Sequence, residues 1–126
     1  MAFQVLIVDD SPVMRTFIQR VMKSSEFDVS AYFQASNGKE ALEVLGREWI
    51  DVVLTDINMP VMNGEELLRS IRSSAIEVPV VVVTTDATDV RVREMLTLGA
   101  KGYLTKPFAP EALRLELERV LGGANA

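Results

Sequence analysis

Two periodicities alternate along this chain. Runs of apolar, mostly β-branched residues cover about Gln4–Val8, Val29–Gln34, Asp51–Thr55, Val78–Thr84 and Lys101–Thr105. Each has the length of a strand. The first, third and fourth are continuous rather than alternating, the pattern of parallel strands buried on both faces. Between the runs, apolar residues recur at helical spacing. Met14, Phe17, Ile18, Val21 and Met22 make one face, Leu42 and Leu45 a second, and Leu67, Leu68 and Ile71 a third. Val92, Met95 and Leu96 make a fourth, and Leu113, Leu117, Val120 and Leu121 a fifth.

Local signals punctuate the same division. Ser11-Pro12 is a helix cap followed by proline at the first helical position. Asn37-Gly38-Lys39-Glu40 and Asn63-Gly64-Glu65-Glu66 have the spacing of capping boxes with asparagine as the cap. Gly99 and Gly122 stand where helices should end. Five strand–helix units in succession predict an α/β domain over residues 1–126, its parallel sheet covered by helices on both faces.

The polar residues that close the apolar runs carry the chemistry. Val5-Leu6-Ile7-Val8 ends in Asp9-Asp10, Val52-Val53-Leu54-Thr55 in Asp56, Val80-Val81-Val82-Val83 in Thr84, and Gly102-Tyr103-Leu104-Thr105 in Lys106-Pro107. In open α/β sheets ligands bind beyond the carboxyl ends of the strands. Three carboxylates, a hydroxyl and an ammonium at one edge would form a site for a cation and a phosphate. Singly, each has a plain alternative. One of the two adjacent acids could cap a helix, but Ser11 already fills that role. Asp56 alone is a turn former, Thr84 a β-branched strand residue, and Lys106 a solvated cation.

Composition sharpens this picture. The 126 residues include no histidine and no cysteine, which removes thiol chemistry and the commonest general base and transition-metal ligand. Hard oxygen ligands alone suit Mg²⁺, which leaves room for a phosphate oxygen. Asp56 then becomes a candidate nucleophile toward phosphorus, with Thr84 and Lys106 as donors to the phosphoryl oxygens. A net charge of −5 argues against a nucleic-acid-binding face. The longest apolar runs are too short to span a membrane, and the start Met1-Ala2-Phe3-Gln4 has no export signal, so a cytoplasmic location is expected.

Four motifs then converge: Leu6-Ile7-Val8-Asp9-Asp10-Ser11, Thr55-Asp56-Ile57-Asn58-Met59-Pro60-Val61-Met62-Asn63-Gly64, Thr84-Thr85-Asp86, and Gly99-Ala100-Lys101-Gly102-Tyr103-Leu104-Thr105-Lys106-Pro107-Phe108. Over essentially its whole length the chain resembles a stand-alone receiver domain of two-component response regulators, of the chemotaxis-regulator kind. The resemblance implies a flavodoxin-like, doubly wound five-stranded sheet of order 2-1-3-4-5 with five helices, an order for which a chemotaxis receiver is a standard illustration. It implies that Asp56 accepts a phosphoryl group from a histidine kinase or histidine phosphotransfer protein. Asp10, Asp56 and the backbone carbonyl of Asn58 would hold Mg²⁺, with Asp9 acting through water. Thr84 and Tyr103 would be the switch pair, repacking a partner-binding surface made by the fourth helix, fifth strand and fifth helix. The label of enzyme does not fit, since such a domain catalyses only its own phosphorylation and dephosphorylation.

Several positions depart from the pattern or tune it. Asn58 and Asp86 stand where the family sets phosphate lifetime, and their polar side chains predict a short-lived phosphoform. Thr85, larger than the residue usual there, argues the other way by narrowing access. Ala109 stands where a polar cap is expected before Pro110, a weakness of about 1 kcal/mol at the start of the fifth helix. Leu115 and Val90 lie off the core faces of their helices and mark a candidate protein-binding patch. Left open are a phosphorelay carrier, a phosphorylation-independent interaction module, and homodimerisation through the same face. An aspartyl-nucleophile phosphatase would want an Asp-x-Asp pattern after the first strand, and a flavodoxin would want a hydroxyl- and glycine-rich phosphate loop. Asp9-Asp10-Ser11 supplies neither.

Overall fold

The computed structural model describes residues 2–86 and 88–122. Strands β1 (Phe3–Val8), β2 (Val29–Ala35), β3 (Val52–Thr55), β4 (Val80–Thr84) and β5 (Gly102–Thr105) alternate with helices α1 (Pro12–Ser24), α2 (Gly38–Arg47), α3 (Gly64–Ser73), α4 (Asp89–Thr97) and α5 (Pro110–Val120). All strand pairs are parallel, in the order β2-β1-β3-β4-β5. The expected flavodoxin-like architecture is the observed one.

Continuous apolar runs follow from having a helical layer on each face. On one side Val5, Ile7, Val52, Leu54, Val81 and Val83 pack with Ile18 and Met22 of α1 and Leu113 and Leu117 of α5. On the other, Leu6, Val8, Val53, Val80 and Val82 pack with Ala41 and Val44 of α2, Leu67, Leu68 and Ile71 of α3, and Met95 of α4. Neighbouring residues of one strand thus serve opposite cores. Edge strand β5 has water on one face and alternates buried with exposed.

Two predicted helix faces shift. In α2 the buried residues are Gly38, Ala41 and Val44, while Leu42 and Leu45 flank them half-buried. The cause is local: Gly38 donates its N–H to Met62 O at 2.9 Å, and a Cβ at Gly38 would lie 2.7 Å from the Met62 side chain. That contact turns the smallest residues inward. In α4 only Met95 is buried and Leu96 is exposed. The helix is held from outside instead, by Arg91 to Glu65 at 2.5 Å and by Arg72 Nη2 donating to Thr97 O at 3.0 Å.

The caps behave largely as expected. Ser11 accepts from Met14 N, and Asn63 with Glu66 closes a full capping box. At α2 only half the box forms, because Glu40 turns to the Ser36 N–H and hydroxyl instead of the Asn37 N–H. Ala109 makes no side-chain cap. Gly99 leaves α4 with φ +114°, a backbone that favours glycine, whereas Gly122 has no such conformation. The Lys106-Pro107 peptide is cis.

Candidate functional site

Strand register builds the site. Val8 is level with Thr55, so the residues that follow, Asp9 and Asp56, leave the sheet side by side. Thr84 is level with Thr105, which brings Lys106 beside the end of β4. The chain turns from β1 toward β2 on one side while β3 lies on the other, and the crevice opened by that reversal is where the acids collect. Asp9, Asp10 and Asp56 each present a carboxylate oxygen within 4.8 Å of the others.

Each member is held differently. Asp9 is 2 % exposed, and each of its carboxylate oxygens is engaged. Its Oδ1 accepts from Ser11 N at 2.9 Å and its Oδ2 from Lys106 Nζ at 3.1 Å. Asp56 Oδ1 accepts from Ile57 N at 2.7 Å, and its Oδ2 lies 3.4 Å from the same ammonium. Asp10 is exposed, and its carboxylate has no hydrogen bond or ion pair among the described residues. Burial pushes the Asp56 carboxyl above the usual aspartate range, and Asp9 adds to that. Lys106 and the Ile57 N–H oppose them without overturning the direction. A like-charged trio in which the Asp10 carboxylate has no other partner among the described residues fits a hard divalent cation.

The loop after Asp56 is shaped by close backbone approach. Gly64 N donates to Ile57 O at 2.7 Å, and a Cβ on Gly64 would sit 2.5 Å from Asp56 O and 2.9 Å from Ile57 Cα. Only glycine fits under the loop. Val61 within it has φ +66°, unusual for a β-branched residue.

Thr84 reaches the site edge, but its hydroxyl accepts from Asp86 N at 2.9 Å and is oriented by that turn. Tyr103 is 41 % exposed and points away from the core, its N–H donating to Glu116 Oε2 at 2.9 Å. Hydrogen bonding from Arg119 holds the Glu116 carboxyl below its usual range. Asn58 is exposed with no side-chain hydrogen bond among the described residues. Asp86 is exposed, and its Oδ1 accepts from Thr88 N at 3.3 Å on the approach to α4. Thr85 is exposed.

One residue escaped the sequence reading. Arg15 on α1 donates from Nη1 to Asp9 O and from Nε to Gln34 Oε1. Its only signal was a cation one helical turn past the acid pair.

The comparisons agree with this geometry. The model of the response regulator receiver domain matches residues 5–118. A chemotaxis protein CheY homolog of Campylobacter jejuni is 37 % identical over 122 residues, covering 94 % of this chain and 92 % of the relative. The chemotaxis protein CheY4 of Vibrio cholerae superposes with a TM-score of 0.83 at 33 % identity, covering 95 % of this chain and 99 % of that one. The receiver domain of the sensor histidine kinase PA1611 of Pseudomonas aeruginosa, with a magnesium ion coordinated in its active-site cleft, gives a TM-score of 0.82 at 28 % identity and covers 97 % and 99 %. This chain belongs to the response regulator receiver domain family.

Proposed function

We propose that the chain is a phosphorylation switch in which Asp56 accepts a phosphoryl group from the phosphohistidine of a histidine kinase or histidine phosphotransfer protein. The observation that carries this reading is the meeting of Asp56, Asp9, Asp10 and Lys106 at one sheet edge. Asp56 is partly desolvated and still reachable, as a carboxylate nucleophile must be. Its oxygen attacks phosphorus as the P–N bond of the donor breaks, and the electron pair departs on the imidazole nitrogen. Lys106, already between Asp9 and Asp56, donates to the oxygens of the arriving group. Thr84 would donate its hydroxyl to the same group in place of its long 3.5 Å bond to Asp86 O.

The donor set fits Mg²⁺, and the Pseudomonas relative carries magnesium in its cleft. Asp10, Asp56 and the Asn58 carbonyl would hold the ion, with Asp9, whose two oxygens already accept from Ser11 N and Lys106 Nζ, linked through water. When bound, Mg²⁺ supplies charge neutralisation between the carboxylate and the incoming phosphoryl group. The chemistry ends on the protein itself, so the activity is self-phosphorylation and self-dephosphorylation rather than turnover of a substrate.

Output would pass through α4, β5 and α5. The single buried side chain of α4 makes it the helix with the weakest hold on the core, the property expected of an element that shifts. These three elements each expose a large apolar or aromatic side chain to solvent: Val90 of α4 (69 %), Tyr103 of β5 and Leu115 of α5 (54 %). Leu115→Lys should weaken partner binding or self-association; an unchanged affinity would remove the patch from the proposal.

Intact-protein mass measurement after incubation with acetyl phosphate tests the chemistry. One added phosphoryl group is expected with Mg²⁺, and none with a chelator or in Asp56→Asn. Beryllofluoride binding under the same conditions separates rapid hydrolysis from an inert site. Failure of both would sink the switch and leave an interaction module.

A further inference from the structure

Arg15 plays no part in the chemistry above, yet it completes the fixation of Asp9. The Asp9 N–H donates to Ala35 O at 3.1 Å, Oδ1 accepts from Ser11 N, and Oδ2 accepts from Lys106 Nζ. Its last polar atom, the carbonyl oxygen, accepts from Arg15 Nη1. The guanidinium is itself tethered, since Nε donates to Gln34 Oε1 at 3.0 Å and Gln34 Nε2 donates to Gln19 Oε1 at 3.2 Å. The carbonyl in question belongs to the peptide that joins Asp9 to Asp10. That peptide plane fixes the backbone from which the Asp10 side chain reaches toward Asp56, and the Asp10 carboxylate has no partner of its own among the described residues.

We infer that Arg15 is a positioning residue for the cation site, aiming Asp10 at Asp56 by fixing the Asp9–Asp10 peptide from the α1 side. The inference rests on the reading of the acidic trio as a Mg²⁺ site. Two effects of Arg15 on a divalent cation have opposite signs. Through space its positive charge repels the ion, so loss of charge alone would tighten binding. Through the peptide it preorganises a ligand, so loss of the anchor would loosen binding.

Titration calorimetry with Mg²⁺ alone, on the full chain, distinguishes them. Arg15→Ala should bind about tenfold more weakly, at the low end for groups that orient a metal ligand. Arg15→Lys keeps the charge but not the fork that reaches Asp9 and Gln34 together, and should fall near Arg15→Ala. Gln34→Leu, which leaves Arg15 in place without its tether, should show a smaller loss and serves if Arg15→Ala does not fold. Arg15→Ala binding as tightly as the wild type or tighter, Arg15→Lys matching the wild type, or unchanged affinity in Gln34→Leu would each overturn the inference. A wild type that takes up no Mg²⁺ overturns the switch reading as well, so the two failures are told apart by the unmutated chain.

Discussion

Asp56→Asn should make the resting protein more stable without Mg²⁺ and less stable with it. Asp56 faces two carboxylates whose oxygens lie within 4.8 Å and one ammonium at 3.4 Å. A like-charged pair at the first distance repels by about 3.5 kcal/mol at an effective dielectric of about 20, and by about 0.9 kcal/mol in bulk water. Lys106 returns about 5 and about 1.2 kcal/mol at the same limits. These opposing charges largely offset one another, and the cost of burial leaves the Asp56 charge unfavourable overall. The amide has neither penalty, and its oxygen can still accept from the Ile57 N–H.

Proton linkage fixes the sign of the pH dependence. The folded-state pKa of Asp56 is raised, so its contribution to stability is complete below the unfolded-state pKa and is lost as pH rises through the folded one. Asn cannot titrate. The stability gap in favour of Asp56→Asn should be near zero at about pH 4 or below and open toward about pH 7. Added Mg²⁺ stabilises the native wild type by about 2.7 kcal/mol at a hundred times its dissociation constant, enough to reverse the order. Urea unfolding of both proteins with chelator and with Mg²⁺, across that pH range, reads all three effects. No gap in chelator, or a gap independent of pH, would refute the account of the charge balance.

Four further outcomes follow from particular contacts. Gly64→Ala should cost about 1–3 kcal/mol in unfolding experiments and slow acetyl phosphate uptake, because the new Cβ meets the backbone of the phosphoacceptor itself. Val61→Asn should raise stability by about 1 kcal/mol, visible as a higher thermal midpoint, since asparagine tolerates φ +66° better than a β-branched residue. Ala109→Ser should stabilise by about 1 kcal/mol in urea by supplying the cap that α5 lacks, with phosphoryl uptake unchanged. Asn58→Ala should lengthen the phosphoform lifetime more than Asp86→Ala, because the Asp86 carboxylate is tied to the Thr88 N–H; time-resolved mass measurement checks the ranking.

What could be read from the chain and what could not divide along a physical line. Asp9, Asp56, Thr84 and Lys106 each end an apolar run, and parallel register alone then carries them to one edge, so order along the chain becomes proximity in space. The cores were visible for the same reason: β1, β3 and β4 need continuous apolar runs if both faces are covered. Features that depend on main-chain partners left no such trace. The inward turn of Ala41 and Val44 comes from Gly38 meeting the backbone and side chain of Met62, which helical spacing cannot register. Asp86 looked available to the phosphate as a side chain, and the Thr88 N–H that engages it is common to every residue except proline. Arg15 shows the limit most plainly, because its main acceptor is a carbonyl that Asp9 would offer whatever its side chain. Side-chain identity at strand ends therefore specifies which groups the site contains, whereas the aim of a ligand such as Asp10 is settled by backbone geometry that a residue elsewhere must hold.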